Sequence, residues 1–236
     1  MIACPEGVVA DCGRLLSQVE VWVDPVPRPA AVQMAIDEAL MRLCPGRVLL
    51  RHYQWDGQAA SFGCSQSLAW VESVAVDREL VRRWTGGGLV FHGHDLTFSL
   101  LVPGTEALAR VRPRESYAIV HSAVRETLQE RGVACRLVDE CHARSGDACF
   151  TAPAVHDLIG IDGRKLCGGA QRRTRSGFLH QGSIQNCLLP DDCIGGLARH
   201  LAGAVSAFCI PSALWDEVHR LVDARYGNPD WTSRVP

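Results

Sequence analysis

The chain has 236 residues, 47% of them hydrophobic and 21% charged, as expected for one large globular domain, with or without a small appendage. Its formal net charge of −2 argues against nucleic acid or an anionic membrane as the main partner. No apolar run approaches the roughly 18 residues of a spanning helix, and the N-terminus does not resemble a secretory signal, so we expect a cytoplasmic protein that does not bind membranes.

Residues 1–18 are expected to form an N-terminal lead-in, and residues 19–236 a single domain. Hydrophobic spacing and turn residues predict the elements of the first half, which are a strand at Val19–Val23, a helix at Ala30–Leu43, strands at Val48–Gln54 and Ala59–Gly63, and a mixed helix and strand at Val74–Arg83. The runs Leu89–His92 and Leu96–Val102 flank Gly93-His94-Asp95 and are predicted to pair as a β-hairpin.

The second half begins with the clearest helix and continues mainly as strands. The predicted elements are the helix Pro113–Gly132, the strand Cys135–Val138, the strands Val155–Ile161 and Lys165–Gln171 joined by a turn at Asp162-Gly163, the strand Phe178–Leu188 and the helix Ala213–Tyr226. Helices and strands are mixed without regular alternation. The order therefore predicts an α+β fold with a mainly antiparallel sheet and helices packed against it.

Eleven cysteines are scattered along the chain, and no Cys-x-x-Cys pair occurs. The zinc-ribbon and thioredoxin interpretations therefore lack support, and we predict neither a metal nor a cofactor. A disulfide framework is not expected in a chain of this size without a secretory signal. Most of the cysteines are expected to be small buried hydrophobic residues.

Lys165 is the only lysine among 24 basic residues. A lysine differs from an arginine where a compact charge with an adjustable pKa is needed. It follows the predicted turn and precedes the small residues Gly168, Gly169 and Ala170, which leave room for a ligand. The alternative is a solvated lysine at a hairpin turn.

The segment Arg82–Gly88 places three consecutive glycines directly before an apolar strand. Glycine allows close approach of the backbone to a ligand. A linker is usually polar on both sides, so we favour the wall of a binding site, with a flexible linker as the alternative. The segment is not a nucleotide P-loop, because no Gly-Lys-Ser/Thr follows.

Cys149 lies in the loop-like segment Cys141–Pro153, which contains Ser145, Gly146 and Asp147. A nucleophilic cysteine needs accessibility and a nearby cation that lowers its pKa. The sequence alone does not place Lys165 near this cysteine.

Four motifs occur in the order Arg-Arg-Trp-Thr-Gly-Gly-Gly-Leu-Val-Phe-His (82–92), Ala-Cys-Phe-Thr-Ala-Pro (148–153), Gly-Arg-Lys-Leu-Cys-Gly-Gly-Ala-Gln (163–171) and Leu-His-Gln-Gly-Ser-Ile (179–184). Together they resemble the lipoate/biotin ligase superfamily, and within it the lipoate-protein ligases and octanoyltransferases. Met34–Leu40 is a weaker match to the family's first helix. The resemblance implies a central mixed sheet, with an acyl chain in a tunnel beside the loop of three glycines, Gly86–Gly88. Two departures are Leu-His-Gln-Gly in place of Leu-Gln-His-Gly, and Gly169 where serine is common.

Within this superfamily the chain is most similar to the cysteine-dependent octanoyltransferases. These carry a cysteine in a Cys-Phe-x-x-Pro context upstream of the lysine motif, where this chain has Cys149-Phe150-Thr151-Ala152-Pro153. ATP-dependent ligases usually have a further C-terminal domain, and about 50 residues follow the last motif here. The glycine-arginine signature of biotin ligases is absent.

The resemblance implies Cys149 and Lys165 as catalytic residues. The residues that it implies for substrate binding are Arg83, Gly86, Gly87, Gly88, His92, Gly168, Gly169, Ala170, His180 and Gly182. For His92 and His180 a structural role is the favoured interpretation, since the sequence identifies no partner for either.

The implied reaction moves an octanoyl group from acyl carrier protein, through a thioester on Cys149, to a lysine of a lipoyl domain or of a glycine-cleavage H-type protein. Lys165 would stabilise the oxyanion of each step. Arg172, Arg173 and Arg175 are expected to help dock an acidic carrier or acceptor, with a solvated hairpin tip as the alternative. Other candidates are an ATP-dependent lipoate-protein ligase, a non-catalytic protein that binds lipoyl domains, and a thiol-rich metal-binding protein.

Overall fold

The computed structural model describes residues 16–139, 153–189 and 192–234. The strands are β1 (Leu16–Val23), β2 (Leu49–Tyr53), β3 (Ala59–Phe62), β4 (Glu79–Arg82), β5 (Val90–Phe91), β6 (Leu96–Pro103), β7 (Cys135–Leu137), β8 (Leu158–Gly160), β9 (Lys165–Thr174), β10 (Gly177–Ile184) and β11 (Ala202–Ala207). The helices are α1 (Ala30–Leu43), α2 (Leu68–Val74), α3 (Ala107–Arg110), α4 (Pro113–Gln129), α5 (Cys193–Leu201), α6 (Leu214–Leu221) and α7 (Pro229–Ser233), with a π-helical turn at Val222–Tyr226. Within these ranges, no helix combines the length and the apolar character needed to cross a membrane.

Two sheets form the framework. The larger joins eight of the described strands in the order β11-β1-β2-β6-β10-β9-β8-β7, and the smaller has the order β4-β3-β5. In the larger sheet β1 runs parallel to both of its neighbours, whereas the other pairs are antiparallel. The structure therefore confirms the predicted α+β class with a mixed, mainly antiparallel sheet.

The two faces of the large sheet are covered by different helices. Alternate residues of a strand point to opposite faces. Leu49 of β2 and Leu101 of β6 accordingly share a hydrophobic cluster with α1 and α6, while Leu50 and Leu100 share another with α4 and α5. Every residue of β6 and β10 is buried. The central strands are thus a rigid platform for the side chains they carry.

Helix α1 has the boundaries that the sequence predicts. Pro29 precedes it, and Cys44-Pro45 follows it, where proline disfavours helical geometry in the residue before it. Most of the helix is buried, including Asp37 and Glu38. Two buried carboxylates on one helix need partners within the fold.

A charged network meets that need beneath α1. The fully buried Arg51 of β2 donates to Asp37 Oδ1 at 2.8 Å and to the carbonyl oxygen of Gln33 at 3.3 Å. The second oxygen of Asp37 accepts from Ser99 Oγ at 2.5 Å and from Gln181 Nε2 at 2.7 Å. This carboxylate therefore joins the first helix to three strands of the large sheet.

The predicted hairpin between Leu89–His92 and Leu96–Val102 is wrong. Strand β5 pairs with β3 in the small sheet, whereas β6 pairs with β2 and β10 in the large one. Between them the Asp95 carboxylate accepts from the Gly93 amide at 3.2 Å and from Thr97 Oγ1 at 2.6 Å. These bonds turn the chain from one sheet into the other.

The predicted elements differ most from the structure near the two ends of the described chain. Strand β1 begins at Leu16, inside the expected lead-in. Neither α5 nor β11 was predicted, and α6 with its π-helical turn replaces the single predicted helix Ala213–Tyr226. The β11 sequence, Ala-Gly-Ala-Val-Ser-Ala, contains one residue with strong β propensity, so its pairing with β1 decides its conformation.

Asp37→Ala is expected to lower the free energy of unfolding by about 3–5 kcal/mol, because it leaves the Arg51 guanidinium buried without its closest carboxylate. Urea unfolding measures the change. Asp216→Ala, at an exposed position of α6, is the control and should leave the midpoint nearly unchanged. Equal midpoints for both variants would show that the network is dispensable for stability.

Candidate active site

A cavity of about 400 Å³, part of it open to solvent, lies between the two sheets beside α1. Met34, Tyr53, Trp55 and Val90 supply apolar wall. The residues expected to bind substrate that line this cavity are Arg83, Gly87, His92, Gly168, Gly169, Ala170 and Gly182. The structure thus brings together three sequence motifs that are far apart along the chain.

The strand register shows the direction in which the cavity runs. Tyr53 is paired with Thr97, Thr97 with Ser183, and Ser183 with Gly168, and all four residues line the cavity. Three spacings between neighbouring strands, each about 4.8 Å, give a length of about 14 Å. The cavity therefore extends across the sheet from β9 at one end to β2 at the other.

Trp55 closes the cavity at the β2 end. Its indole stacks on the His92 ring with centroids 4.0 Å apart, and its Nε1 donates to Thr97 Oγ1 at 2.8 Å. The same tryptophan also borders a solvent-open cleft, lined in part by His52 and Leu189. Trp55 consequently separates the cavity from the solvent-open cleft.

His92 belongs to a buried polar chain behind the apolar wall. Its Nδ1 lies 2.8 Å from Asp95 Oδ2, and its Nε2 lies 2.7 Å from Ser61 Oγ. Burial lowers the pKa of His92, which favours the neutral ring near pH 7. Ser61 Oγ also accepts a hydrogen bond from Arg83 Nη1 at 2.7 Å, so we assign the Ser61 hydroxyl as the donor to His92 Nε2. This partner set gives His92 a structural role besides its place in the wall.

Arg83 fastens the glycine loop, Gly86–Gly88, to the small sheet. Its Nη2 donates to the carbonyl oxygens of Gly86 at 3.0 Å and Gly88 at 2.7 Å, while Nη1 donates to the Ser61 carbonyl at 2.6 Å. The guanidinium is therefore engaged by backbone oxygens, and it shapes the loop that carries Gly87 to the cavity.

Lys165 lies directly behind the β9 end of the cavity. Its ammonium is 2.7 Å from Asp157 Oδ2, and both side chains are 1% exposed. Gly168 lines the cavity, and a Cβ added there would come within 2.6 Å of Lys165 Nζ, so the ammonium lies against the wall where this side chain is missing. This burial excludes the solvated turn lysine that the sequence had left open.

Asp157 and Tyr117 position the lysine, and neither was among the predicted site residues. Asp157 Oδ1 lies 2.7 Å from the Tyr117 hydroxyl, and Oδ2 also accepts from the Ala154 amide at 2.6 Å. The same hydroxyl accepts from the Gly169 amide at 2.8 Å. Burial, followed by the Asp157 charge, raises the pKa of Tyr117 well above its usual value, so the phenol stays protonated. The ion pair and the glycine wall are therefore one hydrogen-bonded unit.

His180 does not line the cavity. It is fully buried behind Gly169, where an added Cβ would approach its Nε2 to 2.6 Å. Its Nδ1 lies 3.2 Å from Gln171 Nε2, and its ring packs against Tyr117 and His121. Burial lowers the pKa of His180 well below its usual value, so the ring is neutral. The described geometry gives this histidine a structural role.

Gln181, the residue after His180, faces the cavity instead. It accepts from Thr85 Oγ1 at 2.8 Å and donates to Asp37 Oδ2 at 2.7 Å. The side chain thus connects the segment of the glycine loop to the network under α1. Gln181 was not among the predicted site residues.

Cys149 lies outside the described residues. Of the cysteines within them, Cys167 is fully buried on β9, and burial raises the pKa of its thiol well above the usual value, which opposes formation of a thiolate. Where the structure describes the chain, no group of three or more histidine, cysteine or acidic side chains is arranged to hold a metal.

Residues 29–188 match the family described as lipoyl protein ligase A/B catalytic domain. The match covers more than half of the chain and includes every residue that lines the cavity. The chain therefore belongs to this family, in agreement with the resemblance found in its motifs.

Curated relatives include proteins named octanoyltransferase LipM. The protein of Oceanobacillus iheyensis is 31% identical over 174 residues, which are 69% of this chain and 62% of the relative. The protein of Brevibacillus brevis is 30% identical over 171 residues, which are 65% of this chain and 61% of the relative. The chain thus spans less than two thirds of the length of these relatives.

Solved structures of low sequence identity share the fold. A Thermoplasma acidophilum protein with bound lipoic acid has a TM-score of 0.72 at 18% identity, covering 93% of this chain and all of that one. A lipoate-protein ligase A bound with ATP has a TM-score of 0.70 at 19% identity, covering 92% of this chain and 98% of that one. These likenesses confirm the α+β catalytic-domain architecture.

Asp157→Ala is expected to destabilise the protein by about 3–5 kcal/mol, because it leaves the Lys165 ammonium buried without its carboxylate. The double variant Asp157→Leu/Lys165→Met should recover most of this loss, since an apolar pair of similar volume often replaces a buried ion pair. Urea unfolding compares both with Arg199→Ala, which removes an exposed pair with Asp192. A single variant as stable as the control would contradict the structural role of the pair.

Proposed function

We propose that this protein is a cytoplasmic octanoyltransferase, which moves an octanoyl group from an acyl carrier protein to a lysine of a lipoyl domain through a thioester on Cys149. The observation that carries the proposal is a cavity with an ammonium behind one end and aromatic rings across the other. The names of the curated relatives support the same reaction.

The dimensions and surface of the cavity suit an eight-carbon chain. Seven C–C bonds of about 1.5 Å, laid out as a zigzag, extend about 9 Å, which is shorter than the distance of about 14 Å between the lining positions on β2 and β9. Burying the chain against Met34, Tyr53 and Val90 contributes about 0.8 kcal/mol for each methylene group. The carbonyl group would then lie towards Gly168 and the chain terminus towards Trp55.

The first transfer loads the enzyme. The Cys149 thiolate attacks the carbonyl carbon of the donor thioester, a C–S bond to Cys149 forms, and the bond to the carrier sulfur breaks. The carrier sulfur leaves as a thiolate and takes up the proton that the Cys149 thiol had lost, so that the carrier is released as its thiol. The tetrahedral intermediate carries negative charge on oxygen. Lys165 would stabilise that charge, an effect on the order of 3 kcal/mol for one well-placed donor in such sites.

The second transfer forms the product. The neutral amine of the acceptor lysine attacks the acyl-enzyme, a C–N bond forms, and the C–S bond to Cys149 breaks. The proton lost by the amine restores the Cys149 thiol. The same oxyanion position is used in both steps, so one fixed ammonium would serve both.

Chain connectivity supports a partnership between Cys149 and Lys165. The Ala154 amide and the Lys165 ammonium share Oδ2 of Asp157. Ala154 follows Cys149 by only five residues in the sequence. Asp157 would accordingly tie the segment that carries the nucleophile to the residue that stabilises the oxyanion.

An ATP-dependent lipoate ligase is the alternative, because one structure of similar fold is bound with ATP. In that reaction Lys165 would contact an acyl-adenylate, and Cys149 would have no role. Isothermal titration with ATP separates the two, since a transferase that uses a thioester donor needs no nucleotide. Turnover of any acyl donor would exclude a protein that only binds lipoyl domains.

Lys165→Arg is expected to lower the rate of octanoyl transfer more than tenfold, although the charge is kept. The planar guanidinium is larger than the ammonium and does not fit between Asp157 and Gly168. Steady-state transfer to a lipoyl domain measures the rate, after thermal melting has shown that the variant folds. Arg164→Lys, at the exposed neighbouring position, should keep the wild-type rate. A Lys165→Arg rate above about a tenth of the wild type, a difference below ~1.4 kcal/mol, would contradict catalysis by the ammonium.

Cys149 is expected to be the one cysteine that forms an octanoyl thioester. Intact mass after mixing with octanoyl carrier protein, without acceptor, should show one added group of about 126 Da that neutral hydroxylamine removes, as for a thioester intermediate. Cys149→Ala should lose both the adduct and the transfer activity. Cys167→Ala and Cys209→Ala are the controls and should keep both. Normal transfer by Cys149→Ala would instead support the ligase mechanism.

A further inference from the structure

Three arginines and two tryptophans alternate on the surface in a stacked row, which we call the arginine–tryptophan ladder. The Trp84 ring has the Arg172 guanidinium 5.1 Å from its centroid and that of Arg225 at 6.0 Å. The Trp231 ring has Arg225 at 4.7 Å and Arg234 at 4.8 Å. Each contact lies within the range of a cation–π interaction.

The ladder begins next to the residues that line the cavity. Arg172 occupies the same face of β9 as Gly168 and Ala170, because side chains two residues apart on a strand share a face. Trp84 directly follows Arg83 and precedes the glycine loop. One end of the ladder is thus next to the cavity lining at Ala170, and the other reaches helix α7.

Two of the three ladder arginines carry positive charge that no described carboxylate neutralises. Arg225 pairs with Glu38 at 2.7 Å. Arg172 and Arg234 are exposed, and neither has a carboxylate partner among the described residues. Stacking on tryptophan holds these guanidinium groups in place, so a partner has little side-chain entropy left to remove. Such groups bind carboxylates and phosphates well.

We propose that the arginine–tryptophan ladder docks the acidic carrier domain that donates the acyl group, with Arg172 beside the phosphate of its pantetheine arm. This proposal rests on the proposed function. The arm contains two amide units and is about as long as five extended residues, or about 17 Å. From Gly168 to Arg172 the strand extends about 13 Å, so a thioester delivered at Gly168 leaves the phosphate near the exposed arginine.

The structure also corrects the arginine cluster expected from the sequence. Arg173 donates to the Ala109 carbonyl at 2.9 Å and to Ser116 Oγ at 2.6 Å, and its guanidinium stacks on Phe178 at 4.9 Å. It is bound into the fold on the opposite face of β9 from Arg172. Arg173 is therefore not part of the docking surface.

The test compares Arg172→Gln/Arg234→Gln with the control Arg131→Gln/Arg199→Gln, in which two exposed arginines after α4 and on α5 are replaced. With octanoyl carrier protein, the ladder variant should show a KM raised at least about tenfold, a kcat within twofold of wild type and a weaker dependence on salt. With the small donor octanoyl-N-acetylcysteamine, both variants should match the wild type. Transfer from preloaded enzyme to the lipoyl domain should also be unchanged.

Three results would overturn the docking surface while leaving the proposed function intact. The first is an unchanged KM and salt dependence of the ladder variant with octanoyl carrier protein. The second is an equal loss of activity with the small donor. The third is a loss confined to transfer to the lipoyl domain, which would assign the surface to the acceptor. Absence of transfer by the wild type from both donors would instead contradict the proposed function itself.

Discussion

The buried ion pair between Lys165 and Asp157 is the interaction on which the site depends. Removing two charges from water is costly, so the pair persists only with good geometry and further hydrogen bonds. Tyr117 and the Ala154 amide supply those bonds, and Tyr117 also binds the Gly169 amide. If any one of these groups moved, the buried ion pair would lose part of the hydrogen bonding that supports it. Helix α4, the segment before β8 and strand β9 are therefore held in one arrangement around a single ammonium.

At the β9 wall of the cavity, the absence of side chains at Gly168 and Gly169 is as important as the side chains that are present. A Cβ at Gly168 would collide with the Lys165 ammonium, and a Cβ at Gly169 would collide with His180 Nε2. The two departures from the family motifs, Gly169 and the order His180-Gln181, consequently belong together. Histidine at 180 needs a glycine beside it, and Gln181 then takes the position that faces the cavity and bonds Asp37.

The sequence predicted the elements that local signals define, and it missed what tertiary contacts decide. Helix α1 was predicted to the residue because its apolar spacing is helical and Cys44-Pro45-Gly46 ends it, and the turn at Asp162-Gly163 predicted the β8–β9 hairpin. That hairpin's register could also have indicated Asp157, which lies just before the strand opposite Lys165. Strand β5 was assigned to the wrong sheet, because its partner, β3, is nearly thirty residues earlier. Cys149 was chosen from its motif and stays a prediction.

The central claim is that an acyl chain lies across the sheet, from Lys165 at one end to Trp55 at the other. A crystal structure with 8-bromooctanoate tests it most directly, because the anomalous signal of bromine locates the end of the chain. The account predicts a bromine peak beside Trp55 and Tyr53, with the carboxylate near Gly168 and the Lys165 ammonium. Bromine at the Gly168 end, or a ligand bound outside the cavity, would contradict it.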